Sequence, residues 1–229
     1  MVTGCPRADP GVVAELAGLG VATVHEATGR TGYLGPGTRP VHLGARIGGP
    51  AVTALCWPGD NLMIHAAVEQ CRPGDILVVT TTSPSTDGAF GELLATALQH
   101  RGVRGLVTTG GVRDVAELHA MNFPVFSGAV SAQGTVKATA GAVNVPIAIN
   151  GQPIAPGDAI LADDDGAMVV ARAGVGQALA AARARAEKEN AARAAFCGGE
   201  LGLDRYGLRA VLDQLGVEYL DHQAYLDAR

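Results

Sequence analysis

The sequence predicts an α/β fold with a layered β/β/α sheet region that is flanked by helices. The middle of the chain alternates short apolar runs with helical segments, the pattern of strands joined by crossover helices. Residues 135–170 hold closely spaced apolar runs that are typical of antiparallel strands. Apolar residues make up 48% of the chain and 32 residues are glycine, which fits a globular core with many turns. We therefore expect one domain over residues 1–229, ending in a helical tail over 174–229.

Local signals predict the individual elements in order. Asp9 suits a helix N-cap and Pro10 the first turn, so a helix is predicted to begin here and to reach about residue 17. A short helix at 23–28 and a loop rich in Gly and Pro at 30–43 follow. Further strands are predicted at 52–57, 76–81, 105–109, 124–126, 135–140, 143–149, 159–162 and 167–170, and further helices at 61–70, 92–99, 115–120, 174–195 and 201–215.

Charge and composition limit the possible partners. The net charge is −5 and the lysines are Lys137 and Lys188, so the sequence offers no basic stripe to a nucleic acid. The N-terminus lacks an apolar signal core, and no run approaches the roughly 20 apolar residues of a membrane span. The four cysteines are scattered without the spacing of zinc ligands. A cytoplasmic protein without a membrane partner is expected.

A glycine-containing loop that opens a helix is the first candidate binding element. Residues 88–91 precede the helix predicted from Glu92, and the free backbone N–H groups of such a helix start bind carboxylates or phosphates. The candidate substrate-binding residues are therefore Gly91, Glu92, Leu93 and Leu94. A glycine before a helix is also common, and a glutamate in a first turn complements the helix dipole, so this signal is weak alone.

Arg113 and Asp114 form the second candidate element, just after the strand predicted at 105–109. A guanidinium can bind a carboxylate through two hydrogen bonds, and an aspartate offers a hard oxygen to a divalent cation. Alternatively, Arg113 is an ordinary surface cation and Asp114 is an N-cap with Glu117 as its capping-box partner. Loops that follow neighbouring parallel strands meet at one sheet edge, so we expect this pair to converge with residues 91–94.

Missing motifs disfavour several other chemistries. The sequence has neither the glycine fingerprint of dinucleotide-binding proteins nor a P-loop, and its six histidines do not form an HExxH pair. A Schiff-base mechanism needs a desolvated lysine, whereas Lys188 stands between two glutamates on a polar helix, which leaves Lys137. Carbanion chemistry here would use a metal as its electron sink. Together the two elements predict a site for a small anionic molecule that chelates a metal.

Several longer segments carry a resemblance to a known family. They are Gly91-Glu92-Leu93-Leu94-Ala95-Thr96, residues 101–107, Gly111-Val112-Arg113-Asp114, residues 58–65, residues 131–139, residues 162–166 and residues 200–207. These segments resemble the 4-hydroxy-4-methyl-2-oxoglutarate / 4-carboxy-4-hydroxy-2-oxoadipate aldolases, which belong with the RraA-like proteins. The resemblance spans nearly the whole chain, and residues 131–139 and the tail favour the aldolase branch.

The resemblance implies a fold, an assembly and a set of site residues. It implies an RraA-like fold in a homotrimer or homohexamer, with the tail at an oligomer interface and the site near a subunit boundary. It also implies a divalent cation, Mg²⁺ or Mn²⁺. By position, the backbone of residues 91–94 and Arg113 bind the pyruvyl group of a 2-oxo acid, and Asp114 ligates the metal. Glu92 and Glu200 are the implied catalytic carboxylates acting through metal-bound water, Glu200 from another subunit.

The activity implied by the resemblance is metal-dependent retro-aldol cleavage, with oxaloacetate decarboxylation as a side reaction. The substrates would be 4-carboxy-4-hydroxy-2-oxoadipate, cleaved to pyruvate and oxaloacetate, or 4-hydroxy-4-methyl-2-oxoglutarate, cleaved to two pyruvates. One departure is that Thr109 stands where many of these aldolases carry an aspartate. Because of that departure, the alternative remains that the protein is a non-catalytic RraA-like regulator of an RNA-processing enzyme. A plain oxaloacetate decarboxylase is a further alternative.

Overall fold

A computed structural model describes residues 1–227, and the chain divides into two compact units, residues 1–184 and the residues from 185 onward. The first unit holds all the strands of the described chain and the first five helices. The boundary between the units falls within the long helix α6 (Val175–Cys197). The prediction of one domain over residues 1–229 stays a prediction.

The elements of the first unit follow the predicted alternation of strands and helices. Its helices are α1 (Pro10–Leu19), α2 (Val21–Ala27), α3 (Leu62–Gln70), α4 (Glu92–His100) and α5 (Val115–Ala120). Its strands are β1 (Arg39–Pro40), β2 (Ile47–Cys56), β3 (Ile76–Thr81), β4 (Gly88–Phe90), β5 (Gly105–Thr108), β6 (Gly111–Val112), β7 (Val125–Ser127), β8 (Ala129–Val130), β9 (Ala142–Val143), β10 (Ile147–Ile149), β11 (Gln152–Ile154), β12 (Ala159–Asp163) and β13 (Gly166–Val170).

The main sheet has eight strands and mixes parallel with antiparallel pairing. Its order is β1-β7-β5-β3-β2-β12-β13, and β9 pairs with β2 away from this path. Pairing is parallel through β2, β3, β5 and β7, whereas β12 is antiparallel to both β2 and β13. The predicted α/β class, with a strand–helix middle and an antiparallel end, is confirmed.

The layering follows from β3, which is buried on both faces. Leu77 and Val79 pack in one cluster with apolar residues of α3 and α4. Ile76 and Val78 point to the other face and pack in a cluster with Ile149 of the β10–β11 hairpin. Because successive side chains of a strand alternate between faces, one apolar run serves both layers. The result is the expected order of helices, main sheet and second β layer.

A small parallel sheet positions the candidate site. Its order is β4-β6-β8. β4 ends just before Gly91, β6 ends just before Arg113, and β8 ends just before Ser131. The carboxyl ends of parallel strands lie at one edge of a sheet, so the three segments that follow these strands become neighbours.

The strand predicted over residues 135–140 is wrong. The described chain has no strand there, and the contact nearest to strand pairing is one isolated bridge between Asp60 and Val136. The backbone N–H groups of Ala138 and Thr139 donate to the Asp60 carboxylate, at 2.8 and 2.7 Å, instead of to a neighbouring strand. A side chain distant in sequence has replaced the sheet partner that the local pattern predicted.

The second unit is helical, as predicted for the tail. It contains the rest of α6, α7 (Gly202–Arg205), α8 (Leu208–Gln214) and α9 (His222–Asp227). The segment predicted as one helix over 201–215 is broken at Gly207, whose φ of 65° is left-handed. The exposed apolar residues of the second unit include Leu201, Tyr206, Leu208, Val211, Leu215, Tyr219 and Leu220. Their position at an oligomer interface stays a prediction. Within the described residues, no helix has both the length and the apolar content to cross a membrane.

Candidate functional site

The structure brings the loop before α4 into contact with Asp114. The backbone N–H of Glu92 donates to Asp114 Oδ2 at 3.0 Å. Gly91 is extended, with φ near −158°, so its backbone conformation does not itself require glycine. A Cβ atom at Gly91 would instead overlap Asp114 Oδ2 and lie 3.0 Å from Arg113 Cγ. Glycine is needed here because the two segments approach each other closely.

Asp114 occupies the N-cap position of α5, but it does not cap that helix. Within residues 1–227 its side chain makes no capping hydrogen bond to α5, and its φ of 58° is left-handed. A left-handed backbone at a residue other than glycine costs on the order of 1 kcal/mol and often marks a functional position. The alternative interpretation of Asp114 as the cap of a capping box with Glu117 is therefore wrong. The carboxylate, whose side chain is 38% exposed, is directed to the start of α4.

Arg113 lies beside this carboxylate at the end of β6. Its backbone N–H donates to Phe90 O at 2.9 Å, which fixes it against the end of β4. Its Nε is 3.7 Å from Asp114 Oδ2, and the side chain is about half exposed. A weak ion pair of this kind leaves guanidinium N–H groups able to bind an anionic ligand.

The two elements line a common cavity of about 110 Å³. Its walls are formed by Asn61, His65, Ala89, Gly91, Leu93, Leu94, Arg113, Asp114 and Lys137. A second cavity, of about 420 Å³, shares Arg113 and Asp114 and is otherwise lined by Val115, Val130, Ser131 and Ala132. The Arg113–Asp114 pair therefore borders both cavities.

The predicted site residues divide into those that the structure brings together and those that it does not. Gly91, Leu93 and Leu94 line the smaller cavity with Arg113 and Asp114. The carboxylate of Glu92 instead accepts a hydrogen bond from Thr96 Oγ1, one turn along α4, at 2.8 Å.

Glu200 and Thr109 are placed elsewhere in the chain. Glu200 belongs to the second unit, where its carboxylate is paired with Arg205 at 2.9 Å. Thr109 hydrogen-bonds with Thr80 through their hydroxyl groups, at 3.1 Å, and is not one of the residues that line the site cavity. Thr109, where the chain departs from the aldolase pattern, therefore lies outside the wall of this cavity.

A divalent cation fits this site in one particular way. Among the residues that the structure describes, no three His, Cys, Asp or Glu side chains are grouped as a metal cage. Mg²⁺ is commonly held by one or two carboxylates, with water and substrate oxygens completing its coordination. Asp114, which is partly exposed and accepts the Glu92 N–H, fits the role of that carboxylate.

Sequence reasoning missed a group of residues contributed by the start of α3. Asn61 lines the cavity, and its Nδ2 donates to Ala89 O at 2.9 Å. Its Oδ1 is buried without a hydrogen-bond partner among residues 1–227. His65, one turn later, and Lys137 also line the cavity. Burial first, and then the charge of Lys137, lower the pKa of His65, so this imidazole is neutral at pH 7.

Asp60 connects the start of α3 to the segment that carries Lys137. Its carboxylate is buried and accepts the backbone N–H groups of Leu62, Ala138 and Thr139 at 2.7–2.8 Å. Burial acts to raise the pKa of Asp60, but these hydrogen bonds outweigh it and lower the pKa below its usual value. The available sequence signal was the Pro-Gly-Asp turn before a helix, which local rules interpret as a turn alone.

The chain is similar in sequence to known proteins. Residues 21–169 match a family model described as "RraA-like: Aldolase/RraA". A protein from Halalkalibacterium halodurans is 33% identical over 132 residues, covering 58% of this chain and 63% of that protein. One from Burkholderia multivorans is 37% identical over 145 residues, covering 63% of this chain and 88% of that protein. Both are named "Putative 4-hydroxy-4-methyl-2-oxoglutarate aldolase".

A solved structure gives the same assignment of the fold. Streptomyces coelicolor RraAS2, described as an unusual member of the RNase ES inhibitor RraA protein family, matches with a TM-score of 0.74 at 28% identity. The match covers 83% of this chain and 99% of that one. The family match, which extends over more than half of the chain, and the layered fold lead to one conclusion: this protein is a member of the RraA-like family.

Proposed function

We propose that this protein is a divalent-metal-dependent retro-aldolase that acts on 4-hydroxy-2-oxo acids with a carboxylate on C4. Its substrates would be 4-carboxy-4-hydroxy-2-oxoadipate or 4-hydroxy-4-methyl-2-oxoglutarate. The proposal rests mainly on the position of the Asp114 carboxylate. Within the described chain this carboxylate makes no capping hydrogen bond to α5; it accepts the N–H of Glu92 at the start of α4 and lies beside Arg113. The names of the two aldolase relatives support the same reaction class.

Binding of the pyruvyl end is assigned to the residues that share the smaller cavity. The N-terminus of α4 carries unpaired backbone donors and a positive dipole end, which favour a carboxylate near Leu93 and Leu94. Arg113 contributes a positive charge and several N–H donors to the keto group. Asp114 would hold the Mg²⁺ or Mn²⁺, and such a cation supplies electrophilic assistance to the keto group when it is bound.

Cleavage breaks the C3–C4 bond and requires loss of the C4 hydroxyl proton. The electron pair of the broken bond moves into the pyruvyl fragment, where negative charge builds up on the keto oxygen. Arg113 stabilises that charge, and the loss of one such donor commonly costs about 3 kcal/mol of transition-state stabilisation. Glu92 and Glu200 are the carboxylates proposed to accept the hydroxyl proton through water. Oxaloacetate decarboxylation develops the same charge and would follow from the same residues.

The assembly belongs to the proposal as well. A homotrimer or homohexamer would cover the exposed apolar residues of the second unit and would let Glu200 act in a neighbouring subunit's site. Sedimentation that finds the full chain to be a monomer would remove Glu200 from the mechanism.

A second candidate function is regulation of an RNA-processing enzyme without catalysis. The match to Streptomyces coelicolor RraAS2 favours it, because that protein has nearly the same fold over nearly its whole length. Since a fold hosts several functions, this likeness does not by itself decide between them.

Pyruvate release separates these candidates. The protein is mixed with 4-carboxy-4-hydroxy-2-oxoadipate, 4-hydroxy-4-methyl-2-oxoglutarate or oxaloacetate, first with Mg²⁺ and then with EDTA, and pyruvate is measured with a coupled dehydrogenase. Release from the aldol substrates that stops with EDTA supports the proposal. Release from oxaloacetate alone identifies a decarboxylase, and no release from any substrate favours the regulator.

A further inference from the structure

The segment that carries Lys137 is held by contacts with the start of α3 rather than by a sheet. The carboxylate of Asp60 accepts the N–H groups of Ala138 and Thr139. Val136 makes two more backbone hydrogen bonds with residues 59–61. Its N–H donates to Gly59 O at 2.9 Å, and its carbonyl oxygen accepts the N–H of Asn61 at 3.0 Å. Lys137 is therefore fixed on both sides by the residues around Asp60.

This attachment places a second cationic side chain on the wall of the candidate site. Lys137 lines the cavity together with Arg113 and Asp114. His65 is neutral at pH 7, because burial and the nearby lysine lower its pKa. The charged side chains of the cavity wall are thus Arg113, Lys137 and Asp114, and a cation bound at Asp114 would make the cavity still more positive. A ligand with one carboxylate leaves this positive charge incompletely balanced.

A second observation indicates that a polar ligand binds next to Lys137. Asn61 is 7% exposed and lines the same cavity. Its Nδ2 donates to a backbone carbonyl, which can only accept, so the amide orientation is determined and Oδ1 remains the unpaired atom among residues 1–227. A buried acceptor without a donor is destabilising, and a ligand hydroxyl that donates to it would remove that penalty.

We propose that Lys137, positioned by Asp60, binds the second carboxylate of the substrate, so that this lysine sets the preference of the proposed aldolase for a carboxylate on C4. This assignment rests on the proposed aldolase function, since it takes Arg113 and the α4 N-terminus to hold the first carboxylate. Lys137 is then a specificity-determining residue. Asp60, which does not line the cavity, is a positioning residue that acts through it.

Substrate pairs that differ in one carboxylate test this subsite. 4-Hydroxy-4-methyl-2-oxoglutarate carries the second carboxylate, and 4-hydroxy-2-oxopentanoate lacks it. Lys137→Met is expected to lower the ratio of their kcat/KM values about tenfold, mainly through KM, which is what one charge-assisted hydrogen bond is worth. Lys137→Arg keeps the charge and is expected to restore most of the ratio. Lys188→Met is the matched control, because Lys188 is the other lysine and is exposed on α6.

The positioning role of Asp60 is tested with a double-mutant cycle. Asp60→Asn removes the charge and leaves one acceptor oxygen, which cannot serve both the N–H of Leu62 and the N–H groups of Ala138 and Thr139. The segment that carries Lys137 is then held less firmly, so the ratio should fall in the same direction as in Lys137→Met. If Asp60 acts through Lys137, the double variant lowers the ratio no further than Lys137→Met alone. Additive losses would overturn the positioning role. Lys137 is exposed, so its variants should fold and test the subsite even if Asp60→Asn does not fold.

A binding measurement distinguishes failure of the subsite from failure of the proposed function. Pyruvate and 2-oxoglutarate, which differ by a CH₂COO⁻ group that carries the second carboxylate, are titrated calorimetrically into the Mg²⁺-loaded protein. Wild type should bind 2-oxoglutarate more tightly than pyruvate, and Lys137→Met should remove most of this preference. Selective binding without aldol turnover would overturn the proposed function and support the subsite. Turnover combined with an unchanged preference in Lys137→Met would overturn the subsite alone.

Discussion

Two aspartates stand at the starts of helices in the first unit, and the protein uses them in opposite ways. Asp60 precedes α3, is 3% exposed, and accepts three backbone N–H groups, two of them from a distant loop. Asp114 directly precedes α5, has a side chain that is 38% exposed, and accepts the N–H of Glu92 from a different helix. The Asp60 carboxylate is engaged in hydrogen bonds that hold the fold together, whereas the Asp114 carboxylate keeps acceptor capacity for a ligand. Local sequence does not tell them apart, because both occupy positions that favour aspartate.

The largest expected effect is on catalysis, in Asp114→Asn. Asparagine tolerates the left-handed backbone and keeps the size of the side chain, so the fold should survive while the charge is lost. Pyruvate release from the aldol substrates should fall by about 100-fold or more. The free energy of unfolding in urea should change by less than about 0.5 kcal/mol. Turnover close to that of wild type would show that Asp114 has no role in binding the cation.

Asp60→Asn should show the reverse pattern, with a large effect on stability. Asp60 Oδ2 accepts the N–H groups of Ala138 and Thr139, and Oδ1 accepts that of Leu62. The single oxygen of the amide cannot replace both acceptors and carries no charge, so the free energy of unfolding should fall by about 2 kcal/mol. Urea denaturation measures this change. Asp9→Asn is the matched control, because Asp9 caps α1 at the surface and asparagine is an equally good cap. Equal losses in the two variants would contradict the contrast between Asp60 and an ordinary helix cap.

The pH dependence of stability gives a smaller effect that sharpens the same contrast. Because its hydrogen bonds outweigh burial, Asp60 has a lower pKa in the folded than in the unfolded protein. Its contribution is therefore fully present above the unfolded pKa, near 4, and is lost as the pH falls through the folded pKa. The stability difference between wild type and Asp60→Asn should narrow as urea unfolding is repeated below about pH 4. A stability difference that widens as the pH falls would show that folding raises the pKa of Asp60 instead of lowering it.

The smallest expected effect concerns Glu117, which a capping box at α5 would require. Since Asp114 does not cap α5 within the described chain, Glu117→Ala should change the free energy of unfolding by less than about 0.5 kcal/mol. A loss of about 1 kcal/mol or more in urea unfolding would restore Asp114 to the role of an ordinary helix cap.

The parts of the fold that depend on local signals could be predicted from the sequence. Asp9 and Pro10 start α1 as expected, with the Asp9 carboxylate accepting the N–H groups of Gly11 and Val12. The convergence of Gly91 with Asp114 also follows from a general rule, because loops after parallel strands share a sheet edge. That these residues form an active site stays a prediction.

The parts that depend on distant partners could not be predicted. Residues 135–140 have the apolar alternation of a strand, yet their N–H groups are bound by Asp60, nearly 80 residues earlier. The places of Lys137 and Asn61 on the cavity wall depend on that same contact, so no local pattern indicates them. Asp114 was ambiguous for a related reason, since only the three-dimensional structure shows which helix its carboxylate contacts.

Asp114 and a 2-oxo acid are proposed to share one cation, and Mn²⁺ titration tests this directly. Mn²⁺ binding is followed by electron paramagnetic resonance with and without pyruvate, in wild type and in Asp114→Asn. Pyruvate should tighten Mn²⁺ binding in wild type, because Asp114 and pyruvate share the ion, and Asp114→Asn should lose both the affinity and this coupling. Mn²⁺ affinity that is unchanged by pyruvate and by Asp114→Asn would contradict the proposed sharing of the cation.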